Sequence, residues 1–320
     1  MLNIPENLLA KLKTKQNVLL LGVGGGFDIY SGLPLYYTLR QMNINVHLAN
    51  YSFTDFEEVI KNCEPIIINN NLIGANDLIK QDMSYYPEGY LSKFLSPISD
   101  KGIIVWAFRK TGVIPLQYSL RELIARLNID CIILIDGGVD SLNTGDEEGS
   151  GTLLEDSIVI ASLVDFDIDK YLMCIGFGTE VEENVCGYNV LRNISEIIKE
   201  NGFYGSCSLT KDMKSYLLYK NACYYTFNLP FHSTSHIHRR IIPAIEGEFD
   251  DFHSTSEDMD TKIFISAFMS IVWFFDYQVI YNRNKVIPYI SASDSFYQAV
   301  QDGVPYIKNT KKYEYNVIPY

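Results

Sequence analysis

Six short apolar runs, each bounded by turn residues, constrain the fold of this chain more than any other feature. The runs are continuous and rich in β-branched residues, which is typical of strands covered on both faces of a sheet. They lie at 17–23, 44–50, 65–69, 102–108, 131–136 and 171–177. Helical stretches between them lie at roughly 30–42, 115–128, 152–165 and 188–200. The alternation predicts an α/β fold with a doubly wound, mostly parallel, Rossmann-like sheet.

The pattern becomes mostly helical after residue 205. We expect helices at 209–221, 235–246, 261–280 and 293–302, and a short strand near 286–290. No linker rich in Pro, Gly or Ser separates this part from the rest. We therefore expect a single domain over 1–320, with a sheet-forming part at 15–205, a helical part at 206–305 packed on the sheet, and a tail at 306–320.

Charge and composition narrow the range of partners. The net charge of −13 argues against nucleic acid or an anionic membrane surface as the main partner. No apolar run reaches the ~18 residues of a membrane span, and we interpret the longest, 263–275, as a core helix. The six cysteines form no CxxC pair and the N-terminus has no signal pattern, so we expect a reduced, cytoplasmic setting. A homo-oligomer remains compatible with this composition.

The first predicted strand runs into a glycine loop and an acid, Gly24-Gly25-Gly26-Phe27-Asp28. The dinucleotide fingerprint GxGxxG fails because Phe27 stands where its last glycine belongs, and the P-loop lysine is also missing. We therefore expect neither NAD nor haem. The glycine N–H groups are still expected to hold a phosphate. Asp28 either caps the next helix or faces the ligand, where it would suit a sugar hydroxyl or a metal that carries the phosphate.

A second loop, at 134–157, carries the densest chemistry. Asp136 ends a buried strand, Gly137 and Gly138 follow, and Asp140 comes next. Doubly wound sheets bind their ligands at the carboxyl ends of strands, where Asp136 lies. Mg²⁺ takes one or two carboxylates together with substrate phosphates. Asp136 and Asp140 are therefore candidate metal ligands, completed by Glu147 or Glu148.

Other interpretations of this loop stay open. A carboxylate crowded by other carboxylates has a raised pKa and can act as a general acid or base. A solvated acidic loop would account for residues 146–148. Thr152 and Glu155 have the spacing of a capping box, so part of the signal is structural.

Two basic segments also follow predicted elements. Arg109 and Lys110 come just after the strand at 102–108 and either hold a phosphate or carboxylate at the same edge or are surface charge. His236 and His238 are two residues apart, which on a helix turns them to different sides and disfavours a shared metal. Substrate binding and a catalytic role both remain open for these histidines.

A third strand end, "GFGTE" at 176–180, repeats the combination of glycines and an acid with Glu180. Three such strand ends meeting at one crevice predict a polar small-molecule site. No Gly-x-Ser-x-Gly elbow is present, which disfavours serine acyl chemistry.

Four segments together resemble an uncharacterised prokaryotic family catalogued as domain-of-unknown-function family 1152. They are "GVGGGFDIYSGLPL", "DGGVDSL…GTLLEDSIVIASL", "GFGTE" and "VWFFDYQVIYNRN", and they run in order over about 15–305. The resemblance implies that Gly24–Asp28, Asp136–Asp140, Glu155 with Asp156, and Glu180 recur as a set. It implies no activity.

The first hypothesis is an enzyme, a hydrolase or lyase acting on a nucleotide or sugar-phosphate-like small molecule, plausibly with Mg²⁺. The candidate catalytic residues are Asp136, Asp140, Glu155 and Glu180. The candidate ligand-binding residues are Gly24, Gly25, Gly26, Asp28, Arg109, Gly137, Gly138, Thr152, His236 and His238. The alternative is a non-catalytic nucleotide-binding sensor at the same crevice, and a weaker third is a structural or interaction protein.

Overall fold

A computed structural model describes residues 1–98, 102–252 and 264–318. Its strands are β1 (Asn17–Gly22), β2 (Asn45–Ser52), β3 (Ile66–Asn69), β4 (Leu72–Ala75), β5 (Val105–Arg109), β6 (Cys131–Asp136), β7 (Asp169–Ile175), β8 (Phe203–Ser208) and β9 (Ile271–Asp276). These strands form one sheet in the order β3-β4-β5-β2-β1-β6-β7-β9-β8. The central strands, from β5 to β7 in this order, pair in parallel, and the outer strands on both sides pair antiparallel. The predicted α/β class with a mostly parallel sheet is confirmed.

Helices lie on both faces of the sheet. They are α1 (Glu6–Leu12), α2 (Asp28–Ser31), α3 (Leu33–Gln41), α4 (Phe56–Asn62), α5 (Pro87–Leu95), α6 (Val113–Leu127), α7 (Leu153–Ser162), α8 (Gly187–Lys199), α9 (Lys214–Phe227), α10 (His236–Glu246), α11 (Tyr277–Arg283), α12 (Ile287–Ile290) and α13 (Phe296–Asn309). Short 3-10 turns lie at Ser96–Ile98, Asp140–Leu142 and Ala267–Ser270. The described part of the chain contains no helix with both the length and the apolar character needed to cross a bilayer.

Burial of both sheet faces explains why the central strands read as continuous apolar runs. Along β1, Leu19 and Leu21 pack into the core that includes α6, α7 and α8, whereas Leu20 packs into the core that includes α3, α9 and α10. All six residues of β6 are buried. Successive side chains of a strand point to opposite faces, so a strand with helices on both sides needs apolar residues at every position.

The C-terminal part differs from its prediction in two places. β9 and α11 replace most of the predicted helix 261–280, of which residues 261–263 lie outside the described residues. The run Ile271–Phe275 is continuous and apolar, and such a run does not distinguish a buried helix from a buried strand by period alone; its aromatic and β-branched residues favour the strand. The strand predicted near 286–290 is the short helix α12.

The direction in which the chain adds strands reverses between β1 and β6. From β1 the chain adds β2 and then β5 on one side, and it then crosses to add β6 and β7 on the other side. The carboxyl ends of β1 and β6 are direct neighbours, with Gly22 paired to Ile135. A doubly wound sheet opens its ligand crevice at such a reversal, because the loops leave toward opposite faces there.

Candidate active site

A cavity of about 200 Å³ lies at this reversal point. Four segments form its walls: the glycine loop after β1, the acidic loop after β6, the loop after β7 and the start of α10. Of the residues singled out in the sequence, it is lined by Gly24, Gly25, Gly26, Asp28, Asp136, Gly137, Asp140, Thr152, Glu180, His236 and His238. The three predicted strand ends therefore meet at one crevice.

Asp28 joins the first two loops. One carboxylate oxygen accepts a hydrogen bond from the Gly24 N–H at 2.5 Å, and the other accepts one from the Gly137 N–H at 3.2 Å. Asp28 is the first residue of α2, and Phe27 occupies the cap position, so the capping alternative for Asp28 is wrong. Because the Gly24 N–H is engaged by this carboxylate, it is not free to hold a phosphate.

Asp136 and Asp140 are fixed by groups in their own loop and at the start of α7. The Ser141 N–H and hydroxyl both donate to Asp136 Oδ2. The Thr152 N–H and hydroxyl both donate to Asp140 Oδ2, at 2.5 and 2.9 Å. The hydroxyl of Thr152 is thus turned toward Asp140 and makes no capping hydrogen bond, so the predicted capping box with Glu155 is wrong.

Glu180 and Asp156 complete the group of acids. Glu180 accepts a hydrogen bond from the Val139 N–H at 2.7 Å. A Cβ at Gly138 would lie 2.4 Å from the Glu180 carboxyl group, so this glycine permits the close approach although it does not line the cavity. Asp156, on α7, is fully buried and neither of its carboxylate oxygens has a hydrogen-bond partner.

We refer to Asp28, Asp136, Asp140, Asp156 and Glu180 as the carboxylate cluster. Burial raises the pKa of every member, since the charged form loses its hydration. Burial and then the charge of Asp140 raise the pKa of Asp136 to about 7. Burial, followed by the charges of Asp140 and Asp136, raises the pKa of Asp156 and Glu180. Carboxyl groups in this arrangement share protons or bind a cation, because they cannot all ionise together.

No Lys or Arg side chain lines the cavity within the described ranges. Arg109 pairs with Glu57 at 2.9 Å and donates to the Asn70 carbonyl, so its predicted place in the site is wrong. β5, which carries Arg109, is separated from β1 by β2. Glu155 also lies outside the cavity wall and pairs with Lys110 at 2.8 Å.

The two histidines have different environments, as their spacing predicts. His236 is half-exposed at the cavity mouth, and its Nε2 lies 2.6 Å from Glu183, whose pKa this contact lowers. His238 is buried; its Nε2–H donates to the Phe27 carbonyl and its Nδ1 accepts from the Tyr219 hydroxyl. Burial lowers the pKa of His238 to about 4, so the ring is neutral and holds the glycine loop in place.

The candidate metal ligands separate into two places. Asp136 and Asp140 both line the cavity, whereas Glu147 lies against Arg192 and Glu148 is exposed and accepts from the Tyr315 N–H. Across residues 1–98, 102–252 and 264–318, no group of three or more His, Cys, Asp or Glu side chains has the arrangement of a metal site. A two-carboxylate Mg²⁺ site that is completed by the ligand's own oxygens is still compatible with this arrangement.

Sequence reasoning overlooked several residues of the site. Phe53, Tyr85 and Glu183 line the cavity without any motif to mark them. The Tyr85 hydroxyl is buried and has no hydrogen-bond partner, and the same is true of the Ser31 hydroxyl beside Gly137. Asp156 did carry a signal, because an acid within the apolar run of α7 is out of place unless it serves a site.

Comparison with known proteins places the chain in a family. A family model described as "protein of unknown function (DUF1152)" matches residues 91–310, more than half of the chain. The match includes Asp136, Asp140, Asp156 and Glu180 and does not reach the glycine loop. No curated protein and no solved structure matches significantly. The resemblance found in the sequence is thereby confirmed, and the chain belongs to the DUF1152 family.

Proposed function

We propose that this chain is an enzyme, a hydrolase or lyase, that acts on a nucleotide or sugar-phosphate-like small molecule. The observation that carries the proposal is the carboxylate cluster: five buried acids at the strand-order reversal, with no basic side chain among the described residues of the cavity wall. Burying several carboxyl groups together without a counter-charge opposes folding. Such an arrangement is typical of a site where the acids serve a reaction.

Asp136 is the acid–base group of the proposed reaction. Its pKa of about 7 lies near the pH at which a cytoplasmic enzyme would work, so it can both accept and release a proton. Ser141 holds one of its oxygens in place. Asp140 is oriented by Thr152 and raises the pKa of Asp136, and Glu180 presents a second carboxyl group to the same cavity.

The ligand's phosphate needs a partner other than a basic side chain. The Gly25 and Gly26 N–H groups line the cavity, and no hydrogen bond from either is found among the described residues. They support a phosphate, but two N–H groups do not offset its charge beside the carboxylate cluster. Asp136 and Asp140 would hold Mg²⁺, which when bound supplies the positive charge that lets a phosphate approach.

The proposal is tested by incubating the protein with a metabolite extract and Mg²⁺ and following consumption by mass spectrometry. D136N should slow the consumption of any substrate about 10²–10⁴-fold, the typical contribution of a general acid–base group. E155Q is the matched control, since Glu155 lies near the cavity but outside its wall. Full activity in D136N contradicts the proposal. A ligand-dependent rise in melting temperature without any consumption supports the sensor instead.

A further inference from the structure

A second cavity, of about 210 Å³, lies beside the first. Glu180 lines both of them. The second cavity is otherwise formed mainly by apolar side chains, among them Phe177, Val185, Phe268 and Met269. The carboxylate site and an apolar site therefore share one wall.

The loop after β7 forms that shared wall. Glu180 and Glu183 line the first cavity, whereas Val181 and Val185 line the second. The Val185 N–H donates to the Glu180 carbonyl at 3.1 Å, and the Asn184 N–H donates to the Val181 carbonyl at 3.1 Å, which keeps the loop compact. A ligand that extends past Glu180 would have its polar part on one side of the loop and an apolar part on the other.

The size and lining of the second cavity suit a planar ring. A closed apolar cavity of about 150 Å³ is enough to admit a benzene ring, and this cavity is larger. Phe177 and Phe268 pack edge to face, with ring centroids 6.2 Å apart. Ser266 and Asn316 supply polar groups that could meet the edge of a heteroaromatic ring. Phe268 is 53% exposed, so a stacked ring would cover apolar surface.

We propose that the second cavity holds the base of a nucleotide, whose sugar and phosphate lie at the carboxylate cluster. This inference rests on the proposed function and narrows its substrate class, since a sugar phosphate without a base would leave the apolar cavity unused. Glu180 then stands between the base and the sugar. Aromatic rings contribute to base binding without selecting one base, because every base has a flat face.

Calorimetric titration tests the inference with defined probes. AMP, GMP, CMP and UMP are each titrated into the full chain with Mg²⁺ and compared with ribose 5-phosphate, which has no base. At least one nucleotide should bind about 10-fold or more tightly than ribose 5-phosphate, as expected for one stacked base. If no nucleotide binds more tightly than ribose 5-phosphate, or if none binds, the inference is overturned.

Filling the cavity should remove the preference. A Cβ at Gly187 would lie 3.2 Å from the Phe177 ring and 3.5 Å from Ile318, so G187L places a side chain in the cavity from the first residue of α8. The ratio of affinities should fall to about one in G187L and persist in K199L, which adds the same side chain at the exposed other end of α8. An unchanged ratio in G187L contradicts the inference.

Y188A gives a second measurement if G187L does not fold, because Tyr188 lines the cavity and is 38% exposed. It should weaken nucleotide binding and leave ribose 5-phosphate unaffected; equal effects on both probes overturn the inference. The proposed function is judged separately, by the loss of turnover in D136N. Turnover of a substrate without a base would retain that function and exclude the base site.

Discussion

Two groups of buried carboxylates in the loop after β6 are held in opposite ways. Asp146 and Glu147 are compensated: Lys285 lies 2.6 Å from Asp146, and Arg192 lies 3.2 Å from Glu147. Asp136 and Asp140, a few residues earlier, are equally buried and have no basic partner among the described residues. We call Asp146 and Glu147 the paired acids, in contrast to the carboxylate cluster.

The difference separates a structural from a functional use of the same residue type. The paired acids connect the loop to distant parts of the chain, since Asn193 of α8 also donates to Glu147 and the Lys312 N–H donates to the Asp146 carbonyl. The carboxylate cluster makes no such connection through charge. A buried charge that lacks a partner is kept at a cost in stability, which the proposed reaction explains.

Removal of a paired acid should have the largest effect on stability. Glu147 accepts hydrogen bonds from the Thr144 and Gly145 N–H groups, from Asn193 and from Arg192. E147A leaves the Arg192 charge and several buried donors without a partner, so it should lower the free energy of unfolding by about 3–5 kcal/mol. Urea denaturation at pH 7 measures this.

Glu148 provides the control for that variant. It is the next residue in the loop but is exposed, so E148A should change the free energy of unfolding by less than about 0.5 kcal/mol. Similar losses in E147A and E148A would show that the distinction between paired and exposed acids is not the one that matters here.

The carboxylate cluster should respond to pH in the opposite sense. Burial and the charges of Asp140 and Asp136 raise the pKa of Asp156 in the folded state above its usual value of 3.8. The folded protein therefore binds more protons than the unfolded chain above about pH 4, and its stability falls as pH rises from there. D156N removes part of this penalty, so it should gain about 1–3 kcal/mol relative to the wild type between pH 4 and pH 6.

Asp146 supplies the opposite case. Burial acts to raise its pKa, but Lys285 and Thr144 outweigh burial and hold the pKa below 3.8. Its contribution to stability is present above about pH 4 and is lost as pH falls through the lowered pKa. D146N should therefore destabilise the protein at pH 7. If D156N and D146N shift stability in the same direction at pH 7, the two groups of acids do not differ as described.

The sequence predicts the cluster better than it predicts the paired acids. The position of Asp136 and Glu180 at strand ends is set by the topology of a doubly wound sheet, which the apolar runs indicate. The partners of Asp146 and Glu147 come from α8 and from residue 285, far along the chain. Such pairings depend on tertiary packing and leave no local pattern.

The same limit explains the errors in the fold. β8 pairs only with β9, and its residues alternate weakly in burial around Gly205, where φ is 129° and the strand register shifts. Neither feature marks a strand in the sequence. Arg109 was assigned to the site because it follows a strand, but which strands are neighbours is set by the sheet order.

A divalent cation should affect the two groups of acids differently. If Asp136 and Asp140 hold Mg²⁺, adding it at ten times its dissociation constant should stabilise the folded protein by about 1.4 kcal/mol. The rise in melting temperature should be absent in D136N and present in E155Q, with NaCl at equal ionic strength as the reference. D146N should keep the rise, because Asp146 already has Lys285 as its counter-charge. A rise of equal size in all the variants and in NaCl would mean that the cation only screens surface charge and that the cluster is neutralised by shared protons.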